Sequence, residues 1–253
     1  MVKRLTIIKL GGSVVTNKLK PLTFNYNSVD NIAKIIKNFD GPVMIVHGAG
    51  SFGHYYAKYY GVSDKPTRSI KSVIKIRDSM QLLNSKIINV FQKNKLDTFS
   101  FSPIYMYNNN KIPNSWKKIL THSLSFGLLP TTFGDVLLGS KGFYIISGDV
   151  IVLDLCRLLK PSRVVFASNI DGIYEDINDK SSLIPKISDL HNNFKFSKLD
   201  YDVTGGIKTK ITQSMKIANL GIEVQITNGL NSHTLMKALK GEHVGTLFIG
   251  DKS

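Results

Sequence analysis

Several glycine-bearing segments of this chain carry residue types suited to holding anions. Lys9-Leu10-Gly11-Gly12-Ser13 closes an apolar run. Its two glycines let the backbone turn tightly and present bare N–H groups, and Lys9 adds a fixed positive charge beside them. His47-Gly48-Ala49-Gly50-Ser51-Phe52-Gly53-His54 ends a second apolar run and enters a helical pattern. That context makes it an anion-binding helix start, with His54 one turn in as a further donor. Ser147-Gly148-Asp149 also opens a helical pattern and offers N–H donors together with a carboxylate able to orient lysines or metal-bound water. Ser168-Asn169-Ile170-Asp171-Gly172-Ile173-Tyr174 has a turn glycine and polar groups suited to a ribose or base. Asp202-Val203-Thr204-Gly205-Gly206-Ile207-Lys208-Thr209-Lys210 places Lys210 in the first turn of another helix. Each segment alone is compatible with an ordinary tight turn; their joint occurrence at successive strand ends points to a nucleotide phosphate site.

Two familiar alternatives bear on the same residues. Gly48, Gly50 and Gly53 spell G-x-G-x-x-G between a strand and a helix, the dinucleotide fingerprint, and this keeps an oxidoreductase as a rival. That reading needs an acid at the end of the next strand; the candidates are Asp64, in a loop, and Asp78, inside a long helical pattern. G-x-x-x-x-G-K-[ST] does not occur.

The segments depend on the elements between them. Strand-length apolar runs fall at 5–10, 42–47, 98–102, 128–133, 143–147, 163–167, 222–227 and 245–249. Helical patterns fill the intervals at 28–39, opened by Ser28 as a cap, and at 69–93, 116–126, 149–159, 206–220 and 232–239. Such alternation predicts an α/β fold, a three-layer α/β/α sandwich on a mainly parallel sheet whose ligands gather at the carboxyl ends of the strands. Tyr107 to Ser115 reads as a polar loop or hairpin tip.

Length and composition exclude other classes. A chain of 253 residues, 42% hydrophobic, fills a substantial core. The single cysteine, Cys156, cannot form an internal disulfide and lies among apolar helical neighbours, so it is read as core. No run approaches the ~18 apolar residues of a membrane span, and a cytoplasmic location is expected. Lys and Arg number 33 against 18 Asp and Glu. The excess is spread along the chain without basic clusters interleaved with aromatics, so no nucleic-acid partner is expected. Tyr55, Tyr56, Tyr59 and Tyr60 have helical spacing and read as packing.

KLGGS, Lys18 in SVVTNK, HGAGSFGH, Gly134 to Val136 (GDV), SGD, IDGIY and DVTGGIKTK occur in the order and approximate spacing of the amino-acid kinase superfamily, which the whole chain resembles. Within it, the histidine closing GSFGH, together with SGD and DVTGG, is similar to the isopentenyl phosphate kinases, whose acceptor is isopentenyl phosphate. Ala49 stands where glycine is usual, Asn17 where aspartate often precedes the lysine, and SNIDGIY where TDVDGVY is commoner.

The resemblance implies that Lys9, Leu10, Gly11, Gly12, Ser13 and Gly50 hold ATP phosphates, that Asp171, Gly206 and Lys210 belong to the nucleotide site, and that Ala49, His54 and Gly148 hold the acceptor. Lys18 resembles the transition-state lysine, and Asp149 the aspartate that orients catalytic lysines. No residue is assigned as a metal ligand, Mg²⁺ travelling with ATP. Residues 1–160 would form an acceptor-binding half and 161–253 an ATP-binding half, in a homodimer. The chain ends soon after its last strand pattern, so no appended regulatory domain is expected. Fosfomycin, other prenyl phosphates and UMP remain alternative acceptors. Val73, Ile76, Met80 and Leu83 form a stripe that would line either an acceptor pocket or only the core.

Overall fold

Sequences such as Thr-Ile-Ile-Lys-Leu are rich in β-branched residues and have no solvated face, so they persist only as inner strands covered on both sides. The computed structural model describes residues 5–17, 19–62, 65–188 and 206–250. Its strands are β1 (Thr6–Leu10), β2 (Val43–His47), β3 (Thr98–Ser100), β4 (Leu129–Phe133), β5 (Asp135–Gly139), β6 (Gly142–Ile146), β7 (Arg163–Ser168), β8 (Ile173–Tyr174), β9 (Leu183–Ile184), β10 (Lys186–Ile187), β11 (Glu223–Asn228) and β12 (Thr246–Phe248). Its helices are α1 (Gly12–Val15), α2 (Tyr26–Lys37), α3 (Gly50–Tyr59), α4 (Ile70–Lys93), α5 (Pro103–Met106), α6 (Ser115–Ser125), α7 (Gly148–Leu159), α8 (Gly206–Ala218) and α9 (Ser232–Lys240).

Eight strands form the central sheet in the order β10-β12-β11-β7-β1-β2-β4-β3. Every pairing from β11 to β3 is parallel, and β12 runs antiparallel to β11. Period-two alternation sends Ile8, Ile45 and Val165 into one core with α2, α4 and α9, and Ile7, Met44 and Phe166 into the other with α7 and α8. The result is the expected α/β/α sandwich.

Two expectations need correction. The run at 143–147 forms a strand, β6, but outside the central sheet: it pairs antiparallel with β5 in a separate hairpin. The reversal comes at Gly139 to Gly142, where Gly142 takes φ +132°, a conformation that costs glycine little. Ser28 lies inside α2, and its N–H donates to Asn25 Oδ1 at 3.4 Å, which makes Asn25 the cap.

Other expectations match. Cys156 is buried in the second core, and burial pushes its thiol pKa up. The α3 tyrosines pack on one another, with Tyr56 against the core. Val73, Ile76, Met80 and Leu83 pack in the first core with Phe52, at most 6% exposed. Asn108 and Lys111 close a hairpin tip in the segment read as a polar loop.

Candidate active site

β1 lies between β2 and β7, and the chain leaves β1 on one side and returns on the other. Such a reversal marks the carboxyl ends of β1 and β7 as the place where open α/β sheets take their ligands. The loops there are locked by backbone bonds: Gly11 N–H donates to Ala167 O at 2.8 Å, Gly48 N–H to Leu10 O at 2.9 Å and Gly134 N–H to His47 O at 3.1 Å. The fit leaves no room for side chains. A Cβ on Gly12 would stand 2.5 Å from Gly50 N, so the first two glycine loops touch backbone to backbone. A Cβ on Gly148 would stand 3.1 Å from His47 O.

At the centre are three buried charges. Ser147 caps α7, its Oγ accepting from Val150 N–H at 3.3 Å, and this sets Asp149 in the first turn. Asp149 Oδ1 lies 2.6 Å from Lys9 Nζ and 3.5 Å from Lys210 Nζ. Lys9, Asp149 and Lys210 are 5%, 6% and 7% exposed. Two ammonium groups on one carboxylate leave an uncompensated positive charge away from water, a costly arrangement unless an anion completes it.

The pKa shifts reflect this imbalance. Burial works to raise the Asp149 pKa, and Lys210 and Lys9 together override it and hold the carboxyl below its ordinary value. Lys210 is pushed down to about 7, by burial first and by Lys9 in addition, against the attraction of Asp149. Its ammonium also stands 5.3 Å from the Phe166 ring centroid.

The other expected residues lie on neighbouring loops and helices. Lys9 Nζ would lie 3.5 Å from a Cβ on Gly48, which puts the cluster against the loop leading to His54. His54 is exposed, in the second turn of α3, and Ala49 precedes that helix. Leu10 is fully buried and contributes its backbone. Ser13 Oγ donates to Asn169 Oδ1 at 2.8 Å, joining the loops after β1 and β7. Asp171 accepts from Tyr174 OH at 3.0 Å and from Asn228 Nδ2 at 2.8 Å, so its carboxylate braces the β7 loop against the end of β11. Gly206 opens α8, four residues before Lys210. Lys18, and Asp202 to Gly205 of the DVTGG motif, lie outside the described residues. Of the acids weighed for a dinucleotide site, Asp78 is within α4 and Asp64 is outside the described residues. Among the described residues no three His, Cys, Asp or Glu side chains are grouped to hold a metal ion, and no helix is long and apolar enough to cross a membrane.

Three contributors escaped the sequence reading. His47 is fully buried and stacks on Phe133 with ring centroids 5.3 Å apart; burial lowers its pKa to about 4, so the ring is neutral. Its position at the end of an all-buried strand was the available signal. Asp135, in the GDV segment, meets Arg77 at 3.0 Å and ties the β5–β6 hairpin, which delivers Asp149, to α4. Burial raises its pKa to about 6 against the Val136 N–H and Arg77. Thr16 bridges the first two glycine loops through its hydroxyl.

Residues 4–228 match the amino acid kinase family. The chain is 29% identical to the isopentenyl phosphate kinase of Thermoplasma acidophilum over 245 residues, 95% of this chain and 98% of that protein. It is 30% identical to the isopentenyl phosphate kinase of Methanocaldococcus jannaschii over 263 residues, 96% of this chain and 97% of that protein. The crystal structure of the T. acidophilum isopentenyl phosphate kinase product complex superposes with a TM-score of 0.80 at 25% identity, covering 96% of this chain and 99% of that one. The glycine loops, the lysine pair on Asp149 and the sheet order thus have one common explanation, and the chain belongs to the amino acid kinase family.

Proposed function

We propose that this kinase transfers the γ-phosphoryl group of ATP to the phosphate of isopentenyl phosphate, giving ADP and isopentenyl diphosphate. The reading is carried by the buried Lys9–Asp149–Lys210 cluster set against the loop that leads to His54, in a chain similar to isopentenyl phosphate kinases along nearly its whole length.

The chemistry suits these groups. A phosphate monoester has a second pKa of about 6, so the acceptor arrives ionised and attacks the γ-phosphorus without a general base. One P–O bond forms from the acceptor oxygen, the bond to the β-phosphate oxygen breaks, and ADP leaves with that electron pair. The protein positions the two anions and neutralises charge. In this reading the N–H groups of Gly12, Ser13 and Gly50 hold ATP phosphates, Gly11, whose N–H is taken by Ala167 O, shapes the turn beneath them, and Asp171 and Gly206 border the nucleotide. His54 and the backbone at Ala49 and Gly148 hold the acceptor phosphate. Lys9, Lys18 and Lys210 neutralise the transferring group, and Asp149 stays ionised to hold Lys9 and Lys210 in place. Mg²⁺ carried with ATP would shield its phosphates. Residues 1–160 serve the acceptor and 161–253 the nucleotide, in a cytoplasmic homodimer.

The test is ADP release from Mg-ATP with isopentenyl phosphate, dimethylallyl phosphate, longer prenyl phosphates, fosfomycin and UMP as acceptors. The short prenyl phosphates should lead in kcat/KM by about tenfold or more, a difference of ~1.4 kcal/mol at the transition state. A lead for UMP or fosfomycin would overturn the acceptor while sparing the kinase.

His54 provides a second check. A hydrogen bond to a charged group is worth about 1.5–3 kcal/mol, so His54→Ala should lower kcat/KM for the acceptor by about one to two orders of magnitude. His54→Gln keeps a donor and should recover part of that loss, as a proton acceptor could not. ATP affinity should be nearly unchanged in both. Full activity in His54→Ala, or a defect confined to ATP binding, removes His54 from the acceptor site.

A further inference from the structure

A helix that begins at Gly50 leaves its first N–H groups without intrahelical acceptors. The residue at its cap position is Ala49, which has no side-chain acceptor to offer. Phe52 and Gly53 N–H turn back to Ala49 O at 3.2 Å each. Ser51 N–H instead donates to Thr16 Oγ1 at 2.9 Å, across 35 residues of chain. That hydroxyl has one proton, which it donates to Gly12 O at 2.6 Å, so toward Ser51 it acts as the acceptor. Thr16 is 1% exposed, and Ser51 is 5% exposed. One hydroxyl therefore ends α1 and caps α3, joining the loop after β1 to the loop after β2. Two further observations show the bridge to be a built feature. Gly50 holds φ +50°, and a Cβ there would stand 2.1 Å from Thr16 Oγ1, so Gly50 is glycine in part to admit this hydroxyl. Ser51 also accepts from Thr23 N–H at 3.3 Å through Oγ, fastening the far end of the segment that leaves Thr16.

We infer that Thr16 is a positioning residue for phosphoryl transfer: its hydroxyl fixes the spacing between the nucleotide loop and the acceptor loop. The inference rests on the phosphotransferase reading above. Thr16 is buried and its hydroxyl is occupied by Gly12 and Ser51, so it acts through them, and its loss affects the alignment of two bound groups more than the binding of either. Displacing reacting groups by about 1 Å can lower a rate by ~100-fold.

The experiment compares wild type, Thr16→Val and Thr16→Ser, measuring kcat, both KM values and amide exchange at Ser51. Thr16→Val should lower kcat by about tenfold to 100-fold with each KM within about threefold, and should speed Ser51 exchange by about tenfold or more. Thr16→Ser keeps the hydroxyl and should restore both. Should Thr16→Val fail to fold, Thr16→Ala is read in the same way. A wild-type kcat in Thr16→Val, an equal loss in Thr16→Ser, or unchanged Ser51 protection overturns the inference. Absence of transfer by the wild-type protein to any acceptor overturns the kinase reading instead, and Ser51 exchange then decides the bridge alone.

Discussion

Asp149→Asn is expected to leave a folded protein whose kcat is lower by about three orders of magnitude, ~4 kcal/mol at the transition state. The wild-type carboxylate touches Lys9 at 2.6 Å and Lys210 at 3.5 Å. Asparagine preserves shape and removes the charge, so two ammonium groups then face each other in a buried space. Each must swing away or shed its proton, and either outcome removes positive charge from the place where the transferring phosphoryl group concentrates negative charge. Breaking a buried charge cluster on one side also costs about 3–5 kcal/mol of stability, so the Tm should fall in parallel. The pH profile supplies a separate signature. Asp149 attraction opposes the burial that lowers the Lys210 pKa, so in Asp149→Asn the residual activity should decline at lower pH than in wild type. A kcat within tenfold of wild type would show that Asp149 does not organise the lysines.

Lys210→Met should lower kcat by two orders of magnitude or more, since it removes one of the two cations and keeps much of the buried stem. Its pH behaviour has a definite sign. In the folded protein burial holds the Lys210 pKa down to about 7, against 10.5 for an ordinary lysine. Between those values the unfolded chain binds more protons, so stability rises with pH through that window, and the cost of a buried ammonium is fully present below it. Lys210→Met should flatten that rise. In the free enzyme, kcat/KM for ATP should decline as pH passes upward through about 7, because Lys210 loses its proton there. Bound phosphates favour the ammonium form, so ATP binding above that pH should draw in a proton, measurable by calorimetry in buffers of different ionisation enthalpy. Proton uptake that persists in Lys210→Met would assign it to another group.

Much of this was legible in the sequence because the chemistry and the local geometry share the same residues. Lys9, Gly11 and Gly12 announce a turn with a cation beside it, and the structure places them at the end of β1. Gly148 and Asp149 announce a helix start, and α7 begins there. The β5–β6 hairpin was not legible as such, since Phe143 to Ile146 reads as another inner strand until Gly142 is seen to reverse the chain. The α2 cap was misplaced because Asn25 and Ser28 are both good caps, and only the bond between them decides. Thr16 carries no local signal of its role, and His47 only its place at the end of an apolar strand run. The partner of Thr16 is 35 residues away, and His47 is set by stacking on Phe133 and by Asn84 at 3.3 Å, contacts that only the assembled sheet creates.

The position of β1 also bears on how the protein is made. It leaves the ribosome before both strands that flank it and is buried along its whole length, with β2 on one edge and β7 on the other. The first edge can be filled as soon as Val43–His47 emerges, but the second waits for Arg163–Ser168. At roughly 5–20 residues per second that interval is on the order of 10 to 30 s, during which an apolar strand edge stands open to pairing with other chains. Nascent chains stalled before β7 should therefore be the most aggregation-prone intermediates of synthesis, and slower translation of the preceding segment should lower the soluble yield without altering the activity of the molecules that complete their fold.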